Sequence, residues 1–159
     1  MKQIQTNVVF DILEKNKQKI VALQGSSRSG KTYNTLIWII FSYCNKHTNR
    51  VISICRKTLP SLKASVLRDF LEILKNNDLY SEIYHNKTSN EYWLNGNLIE
   101  FFSLDMGSRV RGRKRDLLFV NEANEVDLES WNQLLFRTDG AEGEVSVIID
   151  YNPHDQFHW

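Results

Sequence analysis

Two cysteines, two prolines and no long apolar run set the first limits on this 159-residue chain. Cys44 and Cys55 are too few for a disulfide framework and lack the paired spacing of a zinc site, so they read as reduced, buried thiols. The longest oily stretch, Leu36 to Phe41, falls far short of the roughly 20 residues that cross a bilayer. The start, Met1-Lys2-Gln3-Ile4-Gln5, opens no apolar segment of signal-peptide type, so a cytoplasmic protein without membrane contact is expected. Charge of one sign is also missing. With 20 Lys and Arg against 19 Asp and Glu, the net charge is +1, and any basic surface must be local. His154 and His158 are the only histidines at helical spacing, in a segment with a proline, and are not read as a metal site. There are no internal repeats, heptads or low-complexity tracts. What is present is 42% hydrophobic residues, enough for one globular domain with its own core but not for a second.

The apolar pattern alternates between the strand and helix periods. Val8, Val9, Phe10, Ile12 and Leu13 recur at helical spacing across residues 8–18, and 19–24 then form a short β-run. Tyr33 to Asn45 reads as a buried helix, and Arg50 to Cys55 as a strand rich in β-branched residues. Pro60 stands where a second helix can start, with Leu62, Val66, Leu67, Phe70, Leu71 and Leu74 at threes and fours behind it. Glu91 to Leu94 and Asn97 to Phe102 flank Asn95-Gly96, the signature of a hairpin with a type I′ turn. Leu117 to Val120 and Val145 to Ile149 are short apolar runs separated by a helix, Leu128 to Phe136, which indicates buried parallel strands. The fold class expected is α/β, a mostly parallel sheet flanked by helices, with chemistry at the C-terminal edge of the strands.

One motif sits where that rule places it. Gly25-Ser26-Ser27-Arg28-Ser29-Gly30-Lys31-Thr32 is a complete G-x-x-x-x-G-K-[ST] phosphate loop, preceded by Ile20 to Leu23 and followed by a helical pattern. Glycines let the backbone aim several N–H groups at phosphate oxygens, and the helix N-terminus adds its positive end. Lys31 is expected to reach the β- and γ-phosphates of ATP, and Thr32 to ligate Mg²⁺.

Three further segments bear on that chemistry. Leu117-Leu118-Phe119-Val120-Asn121-Glu122 is an apolar strand ending in an acid, and it resembles the Walker B element of P-loop ATPases; the plainer reading is a core strand ending in a polar turn. Under the first reading Glu122 orients and deprotonates the attacking water. Asn121 stands where such strands usually carry a metal-binding Asp, and its uncharged amide is expected to weaken Mg²⁺ affinity. Between residues 109 and 115 five cations fall in seven positions: Arg109, Arg111, Arg113, Lys114 and Arg115. An arginine finger, a track for nucleic-acid phosphates and a solvated loop all remain open for this run, with Arg28 as a second finger candidate. Finally, Val145 to Ile149 leads into Asp150-Tyr151-Asn152-Pro153. Asp150 and Asn152 could sense loss of the γ-phosphate and couple it to movement, although Asn-Pro after a strand is also ordinary turn chemistry.

Taken together, these motifs resemble the large terminase subunits of tailed bacteriophages, closest to the PBSX-like branch. The ordered set is the phosphate loop, Arg56-Lys57-Thr58 with Ser61-Leu62 and Ser65-Val66 beyond it, Arg111-Gly112-Arg113, Asn121-Glu122-Ala123-Asn124-Glu125, and Asp150-Tyr151-Asn152-Pro153, spanning about residues 20 to 153. The resemblance implies a P-loop ATPase of the additional-strand, catalytic-glutamate type. It would hydrolyse ATP with Mg²⁺ to drive double-stranded DNA into a procapsid, in the host cytoplasm. It also implies a homo-oligomeric ring with portal and small-terminase partners, and it maps the family's catalytic arginines to Arg28 and Arg111. Its coupling motif falls on Asp150 to Pro153. Such subunits continue into a further ATPase strand and a nuclease domain. Residues 1–159 are therefore expected to be the N-terminal part of the ATPase domain, with the nuclease domain absent and one edge of the first strand unpaired. Two other functions stay open: another P-loop ATPase of helicase-like type, or a nucleotide-binding fragment without turnover.

Overall fold

The computed structural model describes residues 6–26, 28–105, 114–140 and 143–153. Ser27, Arg109, Arg111, Arg113, His154 and His158 lie outside the described residues. Seven strands build one sheet: β1 (Ile20–Gln24), β2 (Val51–Arg56), β3 (His85–Asn86), β4 (Glu91–Leu94), β5 (Asn97–Ser103), β6 (Leu117–Val120) and β7 (Val147–Tyr151). Their spatial order is β1-β7-β6-β2-β5-β4-β3. The first five in that order run parallel, while β4 and β3 are antiparallel additions at the far edge.

Burial follows from this order. β6 is buried along its whole length, and Ile52 to Cys55 of β2 are buried on both faces, as central parallel strands require. One face is covered by α1 (Val8–Lys15), by α2 over residues 31–46 and by α3 over residues 59–76; each of the last two carries a π-helical turn, at Ile39–Tyr43 and Lys63–Leu67. In α3, Leu62, Val66, Phe70, Ile73 and Leu74 are all fully buried. Each such side chain contributes about 1.5–3 kcal/mol from burial, so this face anchors the fold. The opposite face packs Cys55, Phe102, Leu118, Val120 and Val147 against Leu134 of α4 (Leu128–Phe136). Both cysteines are free and buried, as expected of reduced thiols.

The hairpin turn has Asn95 at φ 50° and Gly96 at φ 76°, the two positive φ angles of a type I′ turn. Asn97 behind it is fully buried, accepts from the Arg50 amide at 3.0 Å and donates to the His47 carbonyl at 2.8 Å, tying the hairpin to the end of α2. β3 and the 3₁₀ turn Glu82–Tyr84 were not legible in the pattern, since two-residue strands have no period to read. β1 ends the sheet, and its exposure alternates, with Val21 and Leu23 buried and Ile20, Ala22 and Gln24 exposed. Among the described residues no strand pairs with its outer edge.

Candidate functional site

The β1 backbone ladder runs on past the strand, with the Gly25 amide donating to the Tyr151 carbonyl at 3.3 Å, and the chain then turns into α2. Gly30 precedes α2 at φ 75°, a left-handed conformation that only glycine adopts without strain. A Cβ there would also stand 3.1 Å from Asn7 Nδ2 and 3.3 Å from Asn34 Nδ2. The Asn34 side chain binds the start of α1, at the Asn7 backbone amide, to the loop. The Asn7 amide donates to Asn34 Oδ1 at 3.0 Å, and Asn34 Nδ2 donates to the Gly30 carbonyl at 3.1 Å. Gly30→Ala is therefore expected to lower unfolding stability by about 1–2 kcal/mol, read as a shifted denaturant midpoint at unchanged slope.

Lys31 opens α2 and is buried. Its Nζ lies within hydrogen-bonding distance of the Gly25 carbonyl (2.8 Å), the Ser26 carbonyl (3.0 Å), Ser29 Oγ (3.1 Å) and Asn152 Oδ1 (3.0 Å). The ammonium and the amino end of α2 thus put two sources of positive potential at one point.

β7 lies between β1 and β6, so the carboxyl ends of β6 and β7 emerge side by side next to the loop. Thr32 Oγ1 donates to Asp150 Oδ2 at 2.6 Å. Asn121 Nδ2 lies 3.1 Å from Thr32 Oγ1 and 2.9 Å from Asp150 Oδ1. The Glu122 amide donates to that same Oδ1 at 2.8 Å. Glu122 has φ 55° and ψ 56°, a left-handed conformation that is uncommon for a glutamate and turns the chain sharply at the strand end. Asn152 joins both halves of the site, accepting from Lys31 and donating from Nδ2 to Glu122 Oε1 at 3.4 Å. Arg28, Ser29, Gly30, Lys31, Thr32, Tyr33, Asp69, Glu122 and Asn152 line one open cleft.

Electrostatics in the cleft favour a proton acceptor at Glu122. Burial, and then the neighbouring Asp150 carboxylate, raise the Glu122 pKa above the ordinary glutamate value. Burial also raises Asp150, which is only 1% exposed, while its bonds to Thr32, the Glu122 amide and Asn121 oppose the shift. A carboxylate with a raised pKa across from an anion site is the arrangement that general-base activation of water uses. Among the described residues no group of three His, Cys, Asp or Glu could enclose a metal. Mg²⁺ does not need one, because it takes one or two protein oxygens and fills its shell from phosphates and water. The Thr32 hydroxyl and the fully buried Asp150 carboxylate fit that demand.

Most of the residues picked out in sequence converge here: Gly25, Ser26, Arg28 to Thr32, Asn121, Glu122, Asp150 and Asn152. Tyr33 and Asp69 of the cleft wall were missed, since Asp69 sits among the polar positions of an amphipathic helix and nothing local marks it. Arg111 falls outside the described residues. Arg115 leaves the basic run altogether: it is 1% exposed and packs over the Phe102 ring at 5.3 Å, so it belongs to the core and not to a solvated or DNA-facing loop. Lys114 is exposed, near Asp139.

Comparison with known families and structures bears on this arrangement. The family model described as the N-terminal part of the terminase large subunit, T4likevirus-type, matches residues 22–159. No curated protein matches the sequence. Among solved structures, the large terminase of a thermophilic bacteriophage superposes with a TM-score of 0.75 at 17% identity, covering 95% of this chain and 39% of that one. That terminase is also known in complex with ATP-gamma-S, at a TM-score of 0.69, 16% identity and coverage of 91% and 36%. The large terminase ATPase domain of Thermus phage P74-26 gives 0.62 at 15% identity, with coverage of 92% and 64%. The HK97 bacteriophage large terminase gives 0.68 at 14% identity, with coverage of 90% and 30%. These likenesses share the α/β fold, and the chain spans about two fifths of the length of the first of them.

Proposed function

The chain belongs to the terminase large-subunit family, and from that membership we propose that it is the ATPase part of a phage DNA-packaging motor, hydrolysing ATP with Mg²⁺. The observation that carries this reading is the pairing across one cleft of Lys31 and Thr32 with Glu122, joined by Asn152. A phosphate site alone would serve any nucleotide binder, whereas a base set opposite it serves hydrolysis. The Lys31 ammonium and the α2 amino end hold the β- and γ-phosphates. Phosphate oxygens would compete with the Gly25 and Ser26 carbonyls for that ammonium. Glu122 takes the proton of the attacking water. When bound, Mg²⁺ neutralises charge on the β- and γ-oxygens.

Asn152 is the element placed to couple the two events. It contacts both the phosphate-binding lysine and the water-activating glutamate, so a change at either reaches the end of β7. This favours a sensor role for the Asp150 to Asn152 segment over an ordinary turn. Double-stranded DNA as substrate, portal and small-terminase partners, a ring of subunits and the host cytoplasm are part of the same proposal, and family membership is what supports them. The PBSX-like branch rests on the Asn121-Glu122-Ala123-Asn124 run. No helix of the described residues is long and apolar enough to cross a membrane.

The test is to measure ATP binding by a fluorescent analogue and phosphate release by this chain, with and without Mg²⁺. Binding with Mg²⁺-dependent turnover supports the motor reading, binding without turnover supports the fragment, and no binding overturns both. The arginine that stabilises transition-state charge is expected to be separable by kinetics. Arg111→Ala lowers turnover at least about 10-fold while shifting nucleotide affinity little; equal loss of both assigns Arg111 to binding or folding instead.

A further inference from the structure

Resting on the nucleotide-binding reading, we propose that Asp150 on β7, not the strand-end residue of β6, supplies the protein carboxylate to the nucleotide's Mg²⁺, with Asn121 as the group that positions it. In sequence the site looks one charge short, because Asn121 occupies the position that the acid usually holds. In space the charge is there. β6 and β7 are adjacent parallel strands in the register Val120↔Ile149, so the next residues, Asn121 and Asp150, leave the sheet side by side. Neighbouring strands lie about 4.8 Å apart, a gap that one short side chain spans.

Three contacts distinguish the two candidates. The Thr32 hydroxyl, the group a phosphate loop offers to the metal, lies 2.6 Å from the Asp150 carboxylate. Asn121 turns its NH₂ toward both Thr32 Oγ1 and Asp150, and an amide nitrogen that donates cannot ligate a cation. Its Oδ1 is buried without a hydrogen-bond partner. Asp150 is further held by the Glu122 amide at 2.8 Å, so its orientation is fixed from two sides. Carboxylate and amide have in effect exchanged strands, with the net charge beside Thr32 conserved. On this account the weakened Mg²⁺ affinity expected from Asn121 does not follow. A further consequence is that the metal and the coupling segment share one strand, since Asp150 and Asn152 lie two residues apart on the end of β7.

The experiment titrates a fluorescent ATP analogue into wild type and variants, with and without MgCl₂, and follows melting in parallel. Wild type is expected to bind more tightly with Mg²⁺. Asp150→Asn should cut that enhancement at least about 10-fold without weakening metal-free binding, since it removes a negative charge from beside the phosphate site. The exchange variant Asn121→Asp/Asp150→Asn should recover most of it. Asp150→Asn with full Mg²⁺ enhancement overturns the proposal, and so does equal loss of metal-free binding in a folded variant, which would make Asp150 structural. If the variants do not fold, a wild-type crystal structure with Mg²⁺ and a non-hydrolysable ATP analogue decides. Asp150 bound to the metal directly or through one water is expected, and Asn121 Oδ1 as the ligand overturns it. Wild type that binds no nucleotide overturns the underlying function instead, which is a different result from Mg²⁺-dependent binding that Asp150→Asn leaves untouched.

Discussion

Glu122→Gln is expected to reduce ATP turnover by at least about 100-fold while nucleotide affinity stays within a few-fold, because general-base assistance is typically worth 10²–10⁴ in rate. Glutamine keeps the length and the oxygen that accepts from Asn152, so the cleft retains its shape. What it loses is the capacity to take a proton. The backbone is insensitive to the change, since the strained φ of 55° and the amide bond to Asp150 belong to the main chain. A variant that loses binding in step with turnover would show Glu122 to be a scaffold for the loop.

The pH profile supplies a second readout. Burial and the Asp150 carboxylate raise the Glu122 pKa, and a base works only when deprotonated. Turnover should therefore fall as pH drops through that raised value, at a higher pH than an ordinary glutamate would give. The sign is opposite to that of a general acid, whose activity would be lost on the alkaline side. The residual rate of Glu122→Gln should be flat over the same range, measured as phosphate release at saturating nucleotide.

Legibility from sequence tracks how local each feature is. The phosphate loop and the strand ending in Glu122 are contiguous, so each is visible as a motif in the chain itself. The helix Leu128–Phe136 and the hairpin turn are likewise written in short-range periodicity and positive-φ residues. The constellation of Thr32, Asn121 and Asp150 was not legible, because its members are 118 and 29 residues apart and meet only because β7 inserts between β1 and β6. Nothing in the order of elements along the chain dictates that insertion. Arg115 misled in the opposite way: a run of cations reads as one surface feature, yet a residue entering a central strand can bury its guanidinium over an aromatic ring.

Lys31→Ala is expected to weaken nucleotide binding roughly 100-fold. Charge-assisted hydrogen bonds contribute about 1.5–3 kcal/mol each, so losing two of them to phosphate oxygens amounts to about 3 kcal/mol or more. The loss is not confined to the nucleotide. The Lys31 ammonium is also the polar partner of the Gly25 and Ser26 carbonyls, Ser29 Oγ and Asn152 Oδ1, so its removal frees the loop from the end of β7. Metal-free binding should fall as steeply as Mg²⁺-bound binding, which separates this variant from changes at Asp150. Lys31→Arg should not restore affinity: a planar guanidinium cannot occupy a compact cradle built for a three-proton ammonium. A titration in which Lys31→Ala keeps wild-type affinity would mean that backbone amides and the α2 amino end suffice to hold the phosphates. The lysine would then serve to lock the loop against Asn152, and its effect would appear in turnover alone.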